Sequence, residues 1–199
     1  MLEWLKAIDT NILLFINTHN SAWADSFMWF VSKKFVWIPL YALLLFLFYK
    51  NYKKHLLKIL IAIILLITIS DNISSRLLKK NVKRYRPTHH IELQDKLHLH
   101  QYEDGSVYRG GKYGFASSHA SNTMAIAIFT LLLLPKSHRK WTSLLIIWSL
   151  IICYSRIYLG VHYPSDIFAG LIIGALAAGF IYYLLRKISP KMFTKEEAK

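Results

Sequence analysis

Five runs of apolar residues constrain this chain more than anything else in it: Phe35–Tyr49, Leu56–Ile69, about Ser117–Leu134, Trp141–Ile157 and Ser165–Leu185. A helix needs about 20 apolar residues to cross the roughly 30 Å of bilayer hydrocarbon. The last run spans it with little tilt. The first holds only 15 strictly apolar residues, so its helix is expected to begin near Trp23. Lys33 and Lys34 inside it must then snorkel or face other helices. A soluble chain of 199 residues could bury one or two such helices but not all of them. The composition agrees, with 54% hydrophobic and 18% charged residues against about 25% charged in soluble domains. The expected fold is therefore all-α: a polytopic membrane helical bundle of about five transmembrane helices.

Residues 2–16 place Leu2, Leu5, Ile8, Ile12 and Phe15 at helical spacing, with Glu3, Lys6 and Asp9 or Thr10 on other faces. This pattern predicts an amphipathic helix at the interface, or else a short sixth crossing. Its charges, and the absence of a small-residue cleavage site, argue against a secretory signal. The expected organisation is one domain, 1–199, with an interfacial helix at 1–20, a motif-bearing core at 71–170 and a cytoplasmic tail at 186–199. The single cysteine, Cys153, lies in an apolar run, which excludes a disulfide framework and a cysteine-based metal cluster.

The net charge of +14 comes from 25 Lys and Arg against 11 Asp and Glu. Much of it lies at the ends of apolar runs, where anionic lipid explains it better than nucleic acid does. With five crossings, the clusters Lys50/Lys53/Lys54, Lys136/Arg139/Lys140 and Arg186/Lys187 all fall on one side. The positive-inside rule makes that side cytoplasmic. Residues 70–118 and the 157–164 loop then share the outer face, and both are rich in reactive side chains.

Lys79 and Arg86 are seven apart, two helical turns if the helix reaches that far, and Pro87 would stop it. Arg156 ends the fourth crossing, His119 opens the third, and His162 and Asp166 flank the start of the fifth. Taken singly, each has a structural explanation: a headgroup contact, a snorkelling arginine, a cap neighbour, a local hydrogen bond. Together, three permanent cations beside two histidines suit a multiply charged oxyanion. The Ser117–His119 segment adds free N–H groups at a helix start, and Gly110, Gly111 and Gly114 would let backbone approach a ligand. A metal held by His119, His162 and Asp166 would be repelled by those cations, so no metal or cofactor is expected. Asp166 is the acidic residue within sequence reach of a histidine. That makes His162 the candidate nucleophile and His119 the candidate acid.

The chain resembles the type 2 phosphatidic acid phosphatase (PAP2) superfamily of integral-membrane lipid phosphatases. Its first motif, Lys, six residues, Arg-Pro, is matched by Lys79 to Arg86-Pro87; its third, Ser-Arg, five residues, His, three residues, Asp, by Ser155-Arg156, His162 and Asp166. The second, usually Pro-Ser-Gly-His, falls on Ala116-Ser117-Ser118-His119, with alanine and serine in place of proline and glycine. The resemblance implies a phosphohistidine at His162, His119 as acid, Asp166 as its orienting partner, and Lys79, Arg86, Ser117 and Arg156 as phosphate ligands. A backbone contact at Ser118 belongs to the same set. It also implies a bacterial inner-membrane enzyme whose site faces the periplasm and whose partners are lipid phosphate and bilayer. Undecaprenyl pyrophosphate leads as expected substrate, because extra cations would hold a second phosphate, with lipid A and phosphatidylglycerol phosphate behind it. Within loop 88–113, Arg109 and Lys112 are candidate headgroup contacts, as are His89, His90, His98 and His100. The rival class is a phospholipid-binding or transport protein without catalysis, which has no need of a nucleophile, an acid and an orienting carboxylate together.

Overall fold

The computed structural model describes residues 3–193; Leu2 of the expected first helix and residues 194–199 of the expected tail lie outside the described residues. Eight α-helices follow in order: α1 (Glu3–Thr18), α2 (Ala22–Ser32), α3 (Ile38–Tyr52), α4 (Leu56–Asp71), α5 (Lys79–Val82), α6 (Ser118–Leu133), α7 (Arg139–Tyr158) and α8 (Pro164–Ile188). Local chemistry sets their starts. Ser21 and Ser117 accept bonds from the backbone N–H groups of Ala24 and Ala120, each relieving one unpaired donor of a first turn. Pro164 occupies the first turn of α8, where its missing N–H costs nothing.

Helix α6 is central, packed on α4, α7 and α8. Its approach to α8 is close because α8 presents Gly170 and Gly174, four apart, to the α6 backbone. A Cβ at Gly174 would lie 2.1 Å from the Ser121 carbonyl oxygen, and one at Gly170 2.5 Å from that of Ser117. Small residues at this spacing let two helix backbones touch. The contact also carries a bond from Ser117 N–H to the Asp166 carbonyl, 3.0 Å, which ties the start of α6 to the start of α8. At the other end, Tyr52 donates to the Leu133 carbonyl at 2.5 Å, and Leu185 and Met192 join the same apolar cluster. The lysine-rich turns after α3 and α6 and the end of α8 thus gather away from the starts of α6 and α8.

The count of crossings differs from the expected five plus an extra. By length and composition, three helical stretches among the described residues can cross a membrane: Lys34–Val82, Lys136–Tyr158 and Pro164–Ile188. The first two expected runs merge into one stretch of 49 residues, because α3 and α4 are joined only by the tight turn Lys53–His55. Helix α6 has 16 residues, short of the usual span. Large apolar side chains such as Leu57, Ile64, Leu176 and Phe180 lie exposed on this bundle, a surface that lipid rather than water would cover.

Three further expectations are corrected. No helix runs through from Trp23: Lys33 takes an extended backbone that ends α2, so the lysine pair sits at a break rather than inside a crossing. The helix carrying Lys79 stops at Val82, where Lys83 turns left-handed at φ 50°. Lys79 and Arg86 therefore do not share a helical face. Finally, Asp9 of α1, expected on a face away from the apolar one, is 5% exposed, because the half-buried Arg84 receives it.

Candidate active site

The ends of α4–α5, α6, α7 and α8 meet at a cavity of about 590 Å³, lined among others by Lys79, Arg86, Ser118, His119 and His162. Each side chain is placed by a local feature. A π-helical stretch, Asn72–Leu78, links α4 to α5, and its wider turn leaves Asp71, Ser75 and Lys79 all facing the cavity. Beyond Lys83 the chain runs extended, and Arg86 N–H bonds the Lys112 carbonyl at 3.1 Å while Gly114 N–H bonds that of Arg84 at 2.9 Å. This short ladder presents Arg86. Lys79 and Arg86 reach one cavity by a turn of chain, not by helical periodicity.

His162, 1% exposed, sits in the turn between α7 and α8. Its Nδ1 lies 3.2 Å from Asp166 Oδ2, and Tyr163 N–H donates to the same oxygen at 3.1 Å. On the other side, Arg86 Nη1 lies 2.9 Å from His162 Nε2 and 3.0 Å from the Val161 carbonyl. An acceptor at Nδ1 and a donor at Nε2 fix the tautomer: Nδ1 carries the proton and Nε2 offers its lone pair. Burial, followed by the charges of Arg86 and Arg156, holds His162 well below its ordinary pKa of 6.5, so the ring is neutral near pH 7. Burial also lowers Arg86, to about 10, with Arg156 adding to it; the guanidinium still carries its charge.

The remaining expected residues divide by position. Lys79 Nζ donates to Ser118 Oγ at 3.2 Å, and Ser118 Oγ is 2.6 Å from Ser75 Oγ. Ser118 thus meets the cavity through its side chain as well as its backbone. Ser117 is fully buried as the cap of α6 and does not line the cavity. Arg156 also lies behind the wall, its Nη1 donating to Ser32 Oγ and its Nη2 to Tyr108 OH at 2.7 Å. The Nε atoms of Arg86 and Arg156 are buried without a partner, a cost unless an anion receives them. Arg109 and Lys112 are exposed and off the cavity. The Arg109 carbonyl accepts from Thr88, and Lys112 lies over the rings of Tyr85 and Tyr113. His98 pairs with Asp25 at 3.0 Å and His100 stacks on Trp29 at 3.8 Å, so neither lines the cavity. Gly110 and Gly114 serve the site's own side chains rather than a ligand: added Cβ atoms would meet Arg86 Nη1 at 3.2 Å and Asp166 Oδ2 at 2.7 Å.

The sequence reading did not single out several residues. Lys33, Lys34, Asp71, Ser75 and Asn122 line the cavity. Asp71 Oδ1 accepts from both Ser75 and Asn122 at 3.2 Å, which fixes the wall opposite His162. The spacing of four in Asp71, Ser75 and Lys79 was the available signal. Arg84 donates to Asp166 Oδ1 at 3.0 Å and to Asp9 Oδ2 at 2.6 Å; a second arginine two residues before the motif arginine was its only trace.

Residues 56–190 match the model of the PAP2 superfamily. The chain is 36% identical over 195 residues to a lipid A 4′-phosphatase of Bacteroides thetaiotaomicron, covering 96% of this chain and 83% of that one. It is 35% identical to a lipid A 4′-phosphatase of Porphyromonas gingivalis, covering 91% and 74%. An undecaprenyl-diphosphatase of Sulfolobus acidocaldarius is 30% identical, covering 84% and 75%. Among solved structures, a transmembrane PAP2-type phosphatidylglycerolphosphate phosphatase from Bacillus subtilis shares the fold, with a TM-score of 0.67 at 18% identity over 98% of this chain and 90% of that one.

Proposed function

The chain belongs to the PAP2 superfamily and is a membrane lipid phosphatase, and from that premise we propose that it removes a phosphate from lipid A through a phosphohistidine at His162, in the bacterial inner membrane with its site toward the periplasm. One observation carries the chemistry: His162 Nε2 is the unprotonated ring nitrogen, with Asp166 behind the ring and Arg86, its present hydrogen-bond donor, placed to pass to a phosphoryl oxygen, in a cavity that also holds Lys79 and His119.

In the reaction, Nε2 attacks phosphorus and the bond from phosphorus to the sugar oxygen breaks. His119 gives a proton to that oxygen, and the alcohol leaves. Water then attacks the phosphorus of the phosphohistidine, giving its proton to His119, and phosphate departs with His162 restored. Asp166 stabilises the charge that the imidazole gains. Lys79, Arg86 and the backbone at the start of α6 hold the phosphoryl oxygens, with Arg156 adding charge from behind. Fixed cations supply the electrostatic role a metal would otherwise fill, and their field opposes a metal at the same place.

Lipid A is preferred here over undecaprenyl pyrophosphate, reversing the order of the sequence reading. The relatives at 36% and 35% identity are lipid A 4′-phosphatases, while the undecaprenyl-diphosphatase stands at 30%. Extra cations fit both lipids, since each bears two phosphates, and so do not discriminate. Phosphate release by detergent-solubilised protein, in the presence of a chelator, tests the reading on lipid A, undecaprenyl pyrophosphate and phosphatidylglycerol phosphate in parallel. Lipid A should be cleaved at least about tenfold faster, and His162→Ala should be silent. Faster release from either of the other lipids would overturn the substrate assignment.

A further inference from the structure

We propose that Asp9 and Arg84 form a positioning arm that sets the orientation and charge balance of the Asp166–His162 pair, so that the N-terminal helix α1 is part of the catalytic apparatus. The proposal rests on the reading of His162 as nucleophile.

The contacts form a closed chain. Asp166 is fully buried and uses both oxygens: Oδ2 faces His162 Nδ1 and accepts from Tyr163 N–H, while Oδ1 accepts from Arg84 Nη1 at 3.0 Å. The same Arg84 nitrogen donates to Ser165 Oγ at 2.6 Å, and Arg84 Nη2 donates to Asp9 Oδ2 at 2.6 Å. Asp9 in turn accepts from Ser165 N–H at 2.8 Å and from Ser165 Oγ at 2.5 Å. The guanidinium lies 4.0 Å over the Tyr163 ring, which leaves it one plane. Orientation of a catalytic pair by hydrogen bonds one layer out is a general device.

Charge makes the arm more than a brace. His162 faces Lys79 from α5, Arg84 and Arg86 from the extended segment, His119 from α6, Arg156 from α7 and Asp166 from α8, with Lys33, Lys34 and Asp71 lining the same cavity. Two carboxylates, Asp166 in contact and Asp71 on the cavity wall, against so many cations would leave the imidazole a poor base. Asp9, from α1, offsets Arg84, the cation that touches Asp166 directly. Nothing in phosphate binding requires this contact, since neither Asp9 nor Arg84 lines the cavity.

Two variants move the system in opposite directions. Asp9→Asn keeps the shape but leaves Arg84 uncompensated; Arg84→Gln removes the cation and leaves Asp9 facing the pair. Measured on lipid A in detergent, with monodispersity checked, Asp9→Asn should lower kcat about 10- to 100-fold with KM changed less than about threefold. The acid limb of its kcat/KM profile should move to lower pH, as a more positive surround disfavours imidazolium. Arg84→Gln should move that limb to higher pH. The substrate's own titration is common to all variants and cancels. Asp9→Asn decides the matter even if Arg84→Gln does not fold. A folded Asp9→Asn enzyme with kcat and pH profile unchanged overturns the arm; so do a lower yield of folded protein with unaltered kinetics and equal shifts in the same direction from both variants. His162→Ala separates the two levels: activity surviving there defeats the nucleophile reading itself, whereas a silent His162→Ala beside an unaltered Asp9→Asn defeats only the arm.

Discussion

The reactivity proposed for His162 draws on opposed surroundings. Burial and the charges of Arg86 and Arg156 push its pKa well below 6.5, yet Asp166 at 3.2 Å waits to stabilise the imidazolium or phosphoimidazole once formed. Because the folded pKa lies below the unfolded value, the neutral ring's contribution to stability is complete above about pH 6.5 and declines as pH falls below it. The same depression keeps the nucleophile unprotonated at mildly acid pH. The acid limb assigned to His162 in a kcat/KM profile should therefore lie below pH 6.5, and Arg86→Gln should raise it; an unmoved limb would show that Arg86 does not govern the ring. Asp166→Asn should reduce kcat on the order of 10³-fold, since an amide holds the ring less well and cannot stabilise its charge. Turnover within about threefold of the parent, in folded protein, would remove Asp166 from the mechanism.

At the scale of elements, the α6–α8 contact determines whether His119 and His162 meet. Gly174→Leu has no room beside the Ser121 carbonyl and should destabilise the protein by about 1–3 kcal/mol, measured by thermal unfolding in detergent. Gly179, on the same helix, has nothing within 4 Å of an added Cβ, so Gly179→Ala should be neutral or slightly stabilising. Equal effects of the two would contradict close packing at Gly174. The helices themselves were legible, because apolar runs and capping residues act locally. His162 and Asp166 were also legible as a pair, for a spacing of four across a helix start leaves little freedom. Lys79 and Arg86 were found for a reason the structure replaces: a left-handed turn at Lys83, not two turns of helix, brings them together. The roles of Arg84 and Asp9 escaped notice because their partners are distant in sequence; Asp9 and Arg84 lie 75 residues apart. An acid on an amphipathic helix reads as part of its polar face until a cation distant in sequence is seen to receive it.

Taken whole, the molecule is asymmetric. Apolar side chains ring the bundle, the basic clusters Lys50–Lys54, Lys136–Lys140 and Arg186–Lys187 gather at one end, and the cavity opens at the other. Positive charge near short loops sets orientation, so the cavity should face away from the cytoplasm. Cys153 is buried, which makes single introduced cysteines readable. In intact cells, a membrane-impermeant maleimide should label Ser106→Cys, in the loop beside the cavity end, and not Ser137→Cys. The reverse pattern would invert the proposed orientation. The proposed chemistry carries phosphate through His162. Its most direct test is to mix the unaltered protein with ³²P-labelled lipid A, quench in alkali within milliseconds to seconds, and map the labelled peptide. Label is expected on the peptide bearing His162, stable in alkali and lost in acid. Turnover without any labelled protein, or label on a peptide lacking His162, would contradict it.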